Sequence, residues 1–489
     1  MKHKIESFIS INKTKILVVF FLYLFPLIAI GNVNYPYIDD IGRRIEGVAN
    51  FAEHYSRFLS EFASYLVHGG THLADAGLTT FILCAVILTL TSFTVLYLFK
   101  DGEEISWSAA IASVFLGLNP WFLEPLSFRF DAPYISLSVL VSVLPFVFYR
   151  QKPKYFALAS FVGIFLMCNS YQGSSGIYIL TLLALVTADI LEGKPIVDVL
   201  KKIAVSFIAY SAGIVTFFFQ TKLNPHLESR GETTQIASLR NMPHAVVENL
   251  RVYFETLKLQ SNRLWLLLAL LIILGAIVTW VWTSKRSKIC SLFISLLSLG
   301  ISSIMSYGLY MFFATPLADD RPRYAYGFAF FIGLLLIQLT KRTSLPKLNA
   351  VKSSLAVLVI YYTVSFSFMY ASVLDNQKQT FENSSFLLAD DLNNFISEDN
   401  QTVYISSFLK DSQVFENSAQ AFPMLRHLVP SNASLYWPNF MWFNSLTDLN
   451  VNFVGLDFNT INMDDLEPLL SNKNWDIYQF NNEIYVYTK

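Results

Sequence analysis

The chain alternates between long apolar runs and short polar ones. A helix that crosses a bilayer needs about 20 mostly apolar residues. By that measure spans are expected near 14–31, 78–99, 106–119, 134–149, 155–169, 174–191, 203–220, 264–283, 289–313, 326–340 and 350–372. The runs at 106–119, 134–149 and 155–169 are short and fit broken or re-entrant segments, so about nine to eleven spans are expected. The first run, from Ile16 to Ile30, reads as a span rather than a cleaved signal. Phe, Tyr and Pro crowd its end, and no small-x-small cleavage site follows. No internal repeat or low-complexity segment is visible.

Basic residues orient the spans. The stretches Arg150-Gln-Lys-Pro-Lys154, Ser284-Lys-Arg-Ser-Lys288 and Lys341-Arg-Thr-Ser-Leu-Pro-Lys347 hold basic residues and no acid. With the basic N-terminus they fall on one side, which is expected to be cytoplasmic. The outer loops are then 32–77, 120–133, 221–263 and 314–325, with a tight turn at 170–173. The expected organisation is a transmembrane domain, 1–372, followed by a soluble outer-face domain, 373–489. In that tail Phe386 to Ile396 has helical spacing, with Asp390 and Asp391 on its polar face. Thr402-Val-Tyr-Ile-Ser reads as a strand, and the segments flanking Asn481-Asn482 read as a hairpin. The fold class is a polytopic α-helical membrane protein with a small C-terminal α/β domain.

Composition agrees with this pattern. Hydrophobic residues make up 54% and charged residues 15%, where a soluble domain carries about a quarter charged. Mean hydropathy is +0.44. The formal net charge of −1 supplies no field for nucleic acid. Cys84, Cys168 and Cys290 lie in or beside apolar runs, which suits neither a disulfide framework nor a zinc site.

The spans hold almost no ionisable residues; Asp189 and Lys202 sit near predicted cytoplasmic ends. That weakens an ion-coupled transporter, which needs such groups near mid-membrane. Charges gather instead in the outer loops. The first cluster is Tyr35-Pro-Tyr-Ile-Asp-Asp-Ile-Gly-Arg-Arg44, which opens a helical stretch expected from Arg44 to Leu66. Asp39 or Asp40 could serve as a general base or hold a divalent cation, Mg or Mn, and Arg43 and Arg44 could bind a phosphate. A capped interfacial helix is the plainer alternative. The second cluster sets Glu124, Arg129 and Asp131 among Trp121, Phe122, Phe128 and Phe130. Carboxylates among rings suit a sugar, and an aromatic interface belt with an Arg129–Asp131 pair suits the residues equally. The third is the polar turn Asn169-Ser-Tyr-Gln-Gly-Ser-Ser-Gly176, where Tyr171 and Gln172 either bond a ligand or close a helical hairpin. In the fourth, Arg321 and Arg323 either clamp a lipid-linked phosphate or snorkel beside Asp319 and Asp320. The histidines, including His68 and His72, show no metal-ligand spacing. Asn383, Asn400 and Asn432 match the glycosylation pattern, a frequent chance match.

Taken in order, Tyr-Pro-Tyr-Ile-Asp-Asp-Ile-Gly-Arg-Arg, Asn-Pro-Trp-Phe-Leu-Glu with Phe-Arg-Phe-Asp, and Tyr-Gln-Gly-Ser-Ser resemble the bacterial serotype-converting O-antigen glucosyltransferases, over residues 14 to 340. The resemblance implies a GT-C-like membrane enzyme. It also implies glucose on undecaprenyl phosphate as donor, supplied by a donor synthase and a flippase. The implied acceptor is a sugar of a lipid-linked O-antigen or similar envelope glycan, modified at the outer face of the bacterial inner membrane. The family's pattern makes an Asp of the first outer loop central, here Asp39 or Asp40. Arg43 or Arg44, Glu124, Arg129 and Asp131 fall on matching motif positions. Glu124-Pro125 departs from the pattern, which has an amide or small polar residue after the Glu. Displacement of a lipid phosphate would invert the anomeric centre. No nucleotide-binding glycine motif is present, in keeping with a lipid-linked donor. The competing readings are a transferase of another sugar, a polyprenyl-linked glycan flippase, and a scaffold for envelope assembly.

Overall fold

Every apolar run of the sequence is helical, and the polar punctuation between runs ends the helices. The computed structural model describes residues 2–230, 235–317, 321–396, 400–458, 467–480 and 483–489, with only the backbone of 228–230. Among the described residues seven helices are long and apolar enough to cross a membrane: Lys2–Val33, Thr79–Lys100, Gln172–Leu191, Ile196–Lys222, Arg263–Thr283, Lys288–Met305 and Pro346–Asn393. Trp107–Leu116, Ala132–Phe148 and Tyr326–Leu339 are apolar but shorter. The first two of these finish in 3-10 turns, Val114–Leu116 and Leu144–Phe148. The short run at 155–169 is instead one unbroken helix, Pro153–Ser170.

Two expectations are corrected. The stretch from Arg44 to Leu66 is not one helix but three pieces, Asp39–Glu46, Phe51–Tyr55 and Phe58–His68. Gly47, Asn50 and Ser56 between them have positive φ, which a right-handed helix cannot pass through. The run 289–313 stops at Met305 and resumes as the 3-10 turn Gly308–Phe312, where Gly308 has φ +62°. The helical spacing of Phe386 to Ile396 is met as far as Asn393. Those residues are the end of a 48-residue helix that begins at Pro346.

Several helices are polar inside and apolar outside. On Lys288–Met305 the buried positions are Ser291, Ser295, Ser298 and Ser302, spaced for one face. Phe293, Leu296 and Leu297 on the same helix are exposed. Arg263–Thr283 likewise exposes Leu266, Leu267, Leu270, Leu271 and Leu274. Many buried hydroxyls are satisfied locally or across helices: Ser295 donates to the carbonyl of Ser291 at 2.7 Å, and Thr187 bonds Ser298 at 2.6 Å. Trp280 Nε1 donates to Gln338 at 2.6 Å, and Trp121 Nε1 to Gln260 at 2.9 Å.

The chain forms two compact units. One is Met1–Asn32 with Val48–Phe368, and the other is Val33–Gly47 with Met369–Lys489. The second carries a five-stranded sheet: β1 (Gln401–Ile405), β2 (Val451–Gly455), β3 (Leu470–Ser471), β4 (Trp475–Phe480) and β5 (Glu483–Thr488). Its order is β2-β1-β5-β4-β3. β1 runs parallel to β2 and β5, while β4 pairs antiparallel with β5 and β3. The strand at Thr402 and the two hairpin strands are therefore present; the turn Asn481-Asn482 lies outside the described residues. Val403, Ile405, Ile477, Ile484 and Val486 alternate into the core, as period 2 requires. Trp475 Nε1 and Asn472 Nδ2 both donate to Asp391 Oδ2, at 2.7 and 2.9 Å, and fasten the long helix to the sheet. Asn432 is buried, and its amide donates to the carbonyls of Gln377 and Lys410. It offers no site for a glycan.

Close approach of the turn after Met305 to the helix Tyr326–Leu339 depends on a missing side chain. A Cβ at Gly327 would lie 2.1 Å from the carbonyl oxygen of Ser306. At Gly300 nothing lies within 4 Å. Gly327→Ala is expected to destabilise the fold by about 1–3 kcal/mol, as overpacking does. Gly300→Ala is expected to leave it unchanged or slightly more stable. Thermal unfolding of the two purified variants in detergent checks the contrast.

Candidate functional site

The segment after Gly117 turns on Asn119. Its Oδ1 accepts the amide of Phe122 at 3.0 Å, and its Nδ2 donates to the carbonyl of Phe115 at 3.1 Å. This turn launches the short helix Leu123–Ser127 and points Glu124 inward, where it is fully buried. Glu124 Oε2 accepts the backbone N–H of Arg323 at 2.8 Å, and Oε1 lies 3.7 Å from Arg323 Nε. A buried carboxylate survives only with such partners. The Arg323 guanidinium also lies over the rings of Tyr324, at 5.1 Å, and Phe128, at 5.7 Å, and bonds the Tyr324 hydroxyl at 3.2 Å. Burial works against its charge, but the Glu124 carboxylate and the hydroxyls of Tyr324 and Tyr171 together outweigh it and raise Arg323 well above the usual arginine range.

A second guanidinium faces this pair. Arg57, between the helices Phe51–Tyr55 and Phe58–His68, donates from Nε to Gln172 Oε1 at 2.9 Å. Its plane lies 4.4 Å from the ring of Tyr55 and 4.8 Å from that of Tyr171. Gln172 is itself oriented: Nε2 donates to the carbonyls of Tyr55, at 3.1 Å, and Cys168, at 2.9 Å. Tyr310 completes the wall, edge-on to Tyr324 at 5.4 Å. Below it Ser174 bonds both Ser138 and Tyr326. Burial pushes the Tyr171 hydroxyl up to about 12, an effect that Arg323 and Arg57 both oppose. Burial lowers Arg57; the hydroxyls of Tyr171, Tyr55 and Tyr310 counter this, and Arg323 adds to it by repulsion.

Of the residues singled out from sequence, Glu124, Tyr171, Gln172 and Arg323 thus meet in one cluster. Arg129 is directed elsewhere. It pairs with Asp75 at 2.6 Å and donates to the carbonyl of Gly31 at 3.1 Å, in place of an exclusive pair with Asp131. Asp131 is buried at the start of the helix Ala132–Val143. Arg321 is half-buried just before the turn Pro322–Tyr324, while Asp319 and Asp320 lie outside the described residues. Arg57, Asp75 and Tyr310 had no motif of their own to mark them, while Tyr324 closes the fourth polar cluster.

Asp39, Asp40, Arg43 and Arg44 belong to the second unit. Their helix is tied down on both sides within that unit. The Tyr37 hydroxyl donates to the carbonyl of Leu428 at 2.7 Å, and Tyr35 meets Trp442 edge-on at 5.4 Å. Asp40 and Arg43 are buried, Asp39 is half-buried, and Arg44 bonds Asn34. Among the described residues no three His, Cys, Asp or Glu side chains gather as a metal site. A divalent cation would therefore rely on isolated carboxylates and its substrate. His68 stacks on Phe130 at 5.8 Å.

The cluster of the first unit carries two guanidiniums and one carboxylate inside aromatic walls. Such a site takes an anion beside an apolar or sugar-like surface. Comparison with known proteins adds chemistry. The sequence model of the family described as "Glucosyl transferase GtrII" matches residues 28–334. An uncharacterized 55.3 kDa protein encoded in the gtrB 5' region of Salmonella phage P22 is 28% identical over 199 residues. The aligned stretch covers 40% of this chain and 39% of that protein's length.

The energetic weight of the Glu124–Arg323 pair is open to a double-mutant cycle. Glu124→Ala alone is expected to destabilise by about 3–5 kcal/mol, because it leaves a buried guanidinium without its carboxylate. Adding Arg323→Ala is expected to recover part of that loss, with a coupling of about 1–3 kcal/mol. Denaturant unfolding of the three variants in one detergent measures it.

Proposed function

Since the chain belongs to the GtrII family of glucosyl transferases, we propose that it moves glucose from undecaprenyl phosphate onto a sugar of O-antigen or a similar lipid-linked envelope glycan. The family match is the observation that carries this reading. Its span includes every residue of the Arg57–Glu124–Tyr171–Gln172–Arg323 cluster. The inside-out helices support a multi-pass membrane protein. Exposed leucines and phenylalanines beside buried serines suit a lipid surround and would be costly in water. The basic loops support an N-terminus in the cytoplasm and a C-terminal unit in the periplasm, in the bacterial inner membrane. Donor synthesis and flipping fall to other proteins.

In the reaction the acceptor hydroxyl oxygen attacks the glucose anomeric carbon. The bond from that carbon to the phosphate oxygen breaks, and undecaprenyl phosphate leaves with the electron pair. The acceptor proton passes to a carboxylate. By the family pattern that base is Asp39 or Asp40. Direct displacement inverts the anomeric centre. Arginine charge near the leaving phosphate lowers the barrier because negative charge grows there in the transition state.

The test is the structure of the envelope glycan in cells that supply acceptor and lipid-linked glucose. A glucose branch is expected only when the protein is present. It is expected to fall at least about a hundredfold in whichever of Asp39→Asn and Asp40→Asn removes the base. Immunoblotting of membranes confirms expression. A glycan unchanged by the protein overturns the transferase reading.

A further inference from the structure

We propose that Arg57 and Arg323 together form a phosphate subsite, which holds the phosphoryl group of an isoprenoid-phosphate donor. The assignment rests on the glucosyl-transfer reading for its ligand, but its geometry stands apart from it. Arg57 reaches the cluster from the loop before Phe58, and Arg323 from the turn Pro322–Tyr324. Each is pinned at one point. Arg57 spends Nε on Gln172, and its two terminal nitrogens make no hydrogen bond to the described residues. Arg323 is held at Nε by Glu124 and at Nη2 by Tyr324, which leaves Nη1.

Both side chains are half-buried, so a ligand can reach them. Charge argues the same way. The carboxylates that could have neutralised Arg57 are engaged elsewhere. Glu61 accepts the amide of Ala52 and the hydroxyl of Tyr65, and Glu53 pairs with His226. Glu124 is committed to Arg323. Among the described residues two cations thus share one anion, and Arg323 repels Arg57. A bound phosphate would relieve that repulsion. Two planar forks arriving from separate elements suit a tetrahedral anion. Phenol groups of Tyr171 and Tyr324 stand beside the forks as further donors. Gly173 lets the rings close in, since a Cβ there would lie 2.9 Å from the Tyr310 hydroxyl. Gln172 acts as a positioning residue that sets the direction of Arg57.

The experiment is binding to the full chain in detergent, with three probes used separately: undecaprenyl phosphate, neutral undecaprenol and inorganic phosphate. Undecaprenyl phosphate is expected to bind saturably. Arg57→Ala is expected to weaken it roughly tenfold or more, the size of one charged hydrogen-bonded contact. Arg57→Lys is expected to recover part, because it keeps the charge and loses the fork. Gln172→Ala is expected to weaken binding less than Arg57→Ala does. Undecaprenol binding is expected to be unmoved in each variant. Thermal unfolding accompanies each measurement. Equal undecaprenyl phosphate affinity in Arg57→Ala and the unaltered protein overturns the subsite. So does tight, Arg57-dependent binding of inorganic phosphate with no binding of the lipid, which would point to a free-phosphate site. If Arg57→Ala does not fold, Arg57→Lys decides: unchanged affinity for the lipid phosphate overturns the proposal. Arg57-dependent lipid phosphate binding in a protein that leaves the glycan unchanged would keep the subsite and discard glucose transfer.

Discussion

A carboxylate with no exposure to solvent needs a cation beside it, and for Glu124 that cation is Arg323. The bond to the Arg323 main chain matters as much as the ion pair. It fixes the backbone of the turn Pro322–Tyr324, so Tyr324 falls edge-on to Tyr310. Two residues further on, Tyr326 packs 4.9 Å from Phe122 and bonds Ser174. Three stretches distant in sequence, near 122, 174 and 324, are held in register by one pairing. The aromatic walls around the guanidiniums are therefore a product of charge satisfaction as much as of apolar packing.

A second constraint governs the helices around that cluster. Where the outside is apolar, burial of leucine gains little, and tight packing of small residues with internal hydrogen bonds holds helices together. The serine face of Lys288–Met305 and the Gly327 contact with Ser306 follow this rule. Many polar side chains inside the bundle bond either to the carbonyl one turn back or to a neighbouring helix, as Thr187 does in both ways.

Much of this was legible in the sequence, for a physical reason. Apolar runs near membrane length leave a helix few alternatives, so all eleven runs are helical. Period-2 burial at Val403 and Ile405, and at Ile484 and Val486, made the strands readable. Loop conformation was not legible. The breaks at Gly47, Asn50 and Ser56 depend on positive φ, which Asn and Ser do not advertise. The candidate site was half visible. Glu124, Tyr171, Gln172 and Arg323 stand in polar motifs against apolar flanks. Arg57 stands in an ordinary amphipathic stretch, and only tertiary structure carries it to Gln172. The Arg129–Asp75 pair was not legible for the same reason: Asp75 lies in another loop.

The second unit is discontinuous along the chain, and this has a consequence for biosynthesis. Val33–Gly47 leaves the ribosome early, yet Leu428 and Trp442, on which Tyr37 and Tyr35 rest, come some four hundred residues later. At about 5–20 residues per second, the acidic helix waits tens of seconds for its support. During that interval its three carboxylates and two arginines have no native seat. The C-terminal unit thus acts as the last-made half of a clamp whose first half has already been delivered. Maturation of the Asp39–Arg44 segment is in this way coupled to completion of the polypeptide, and a nascent chain stalled before β1 would carry that helix without the surface that shapes it.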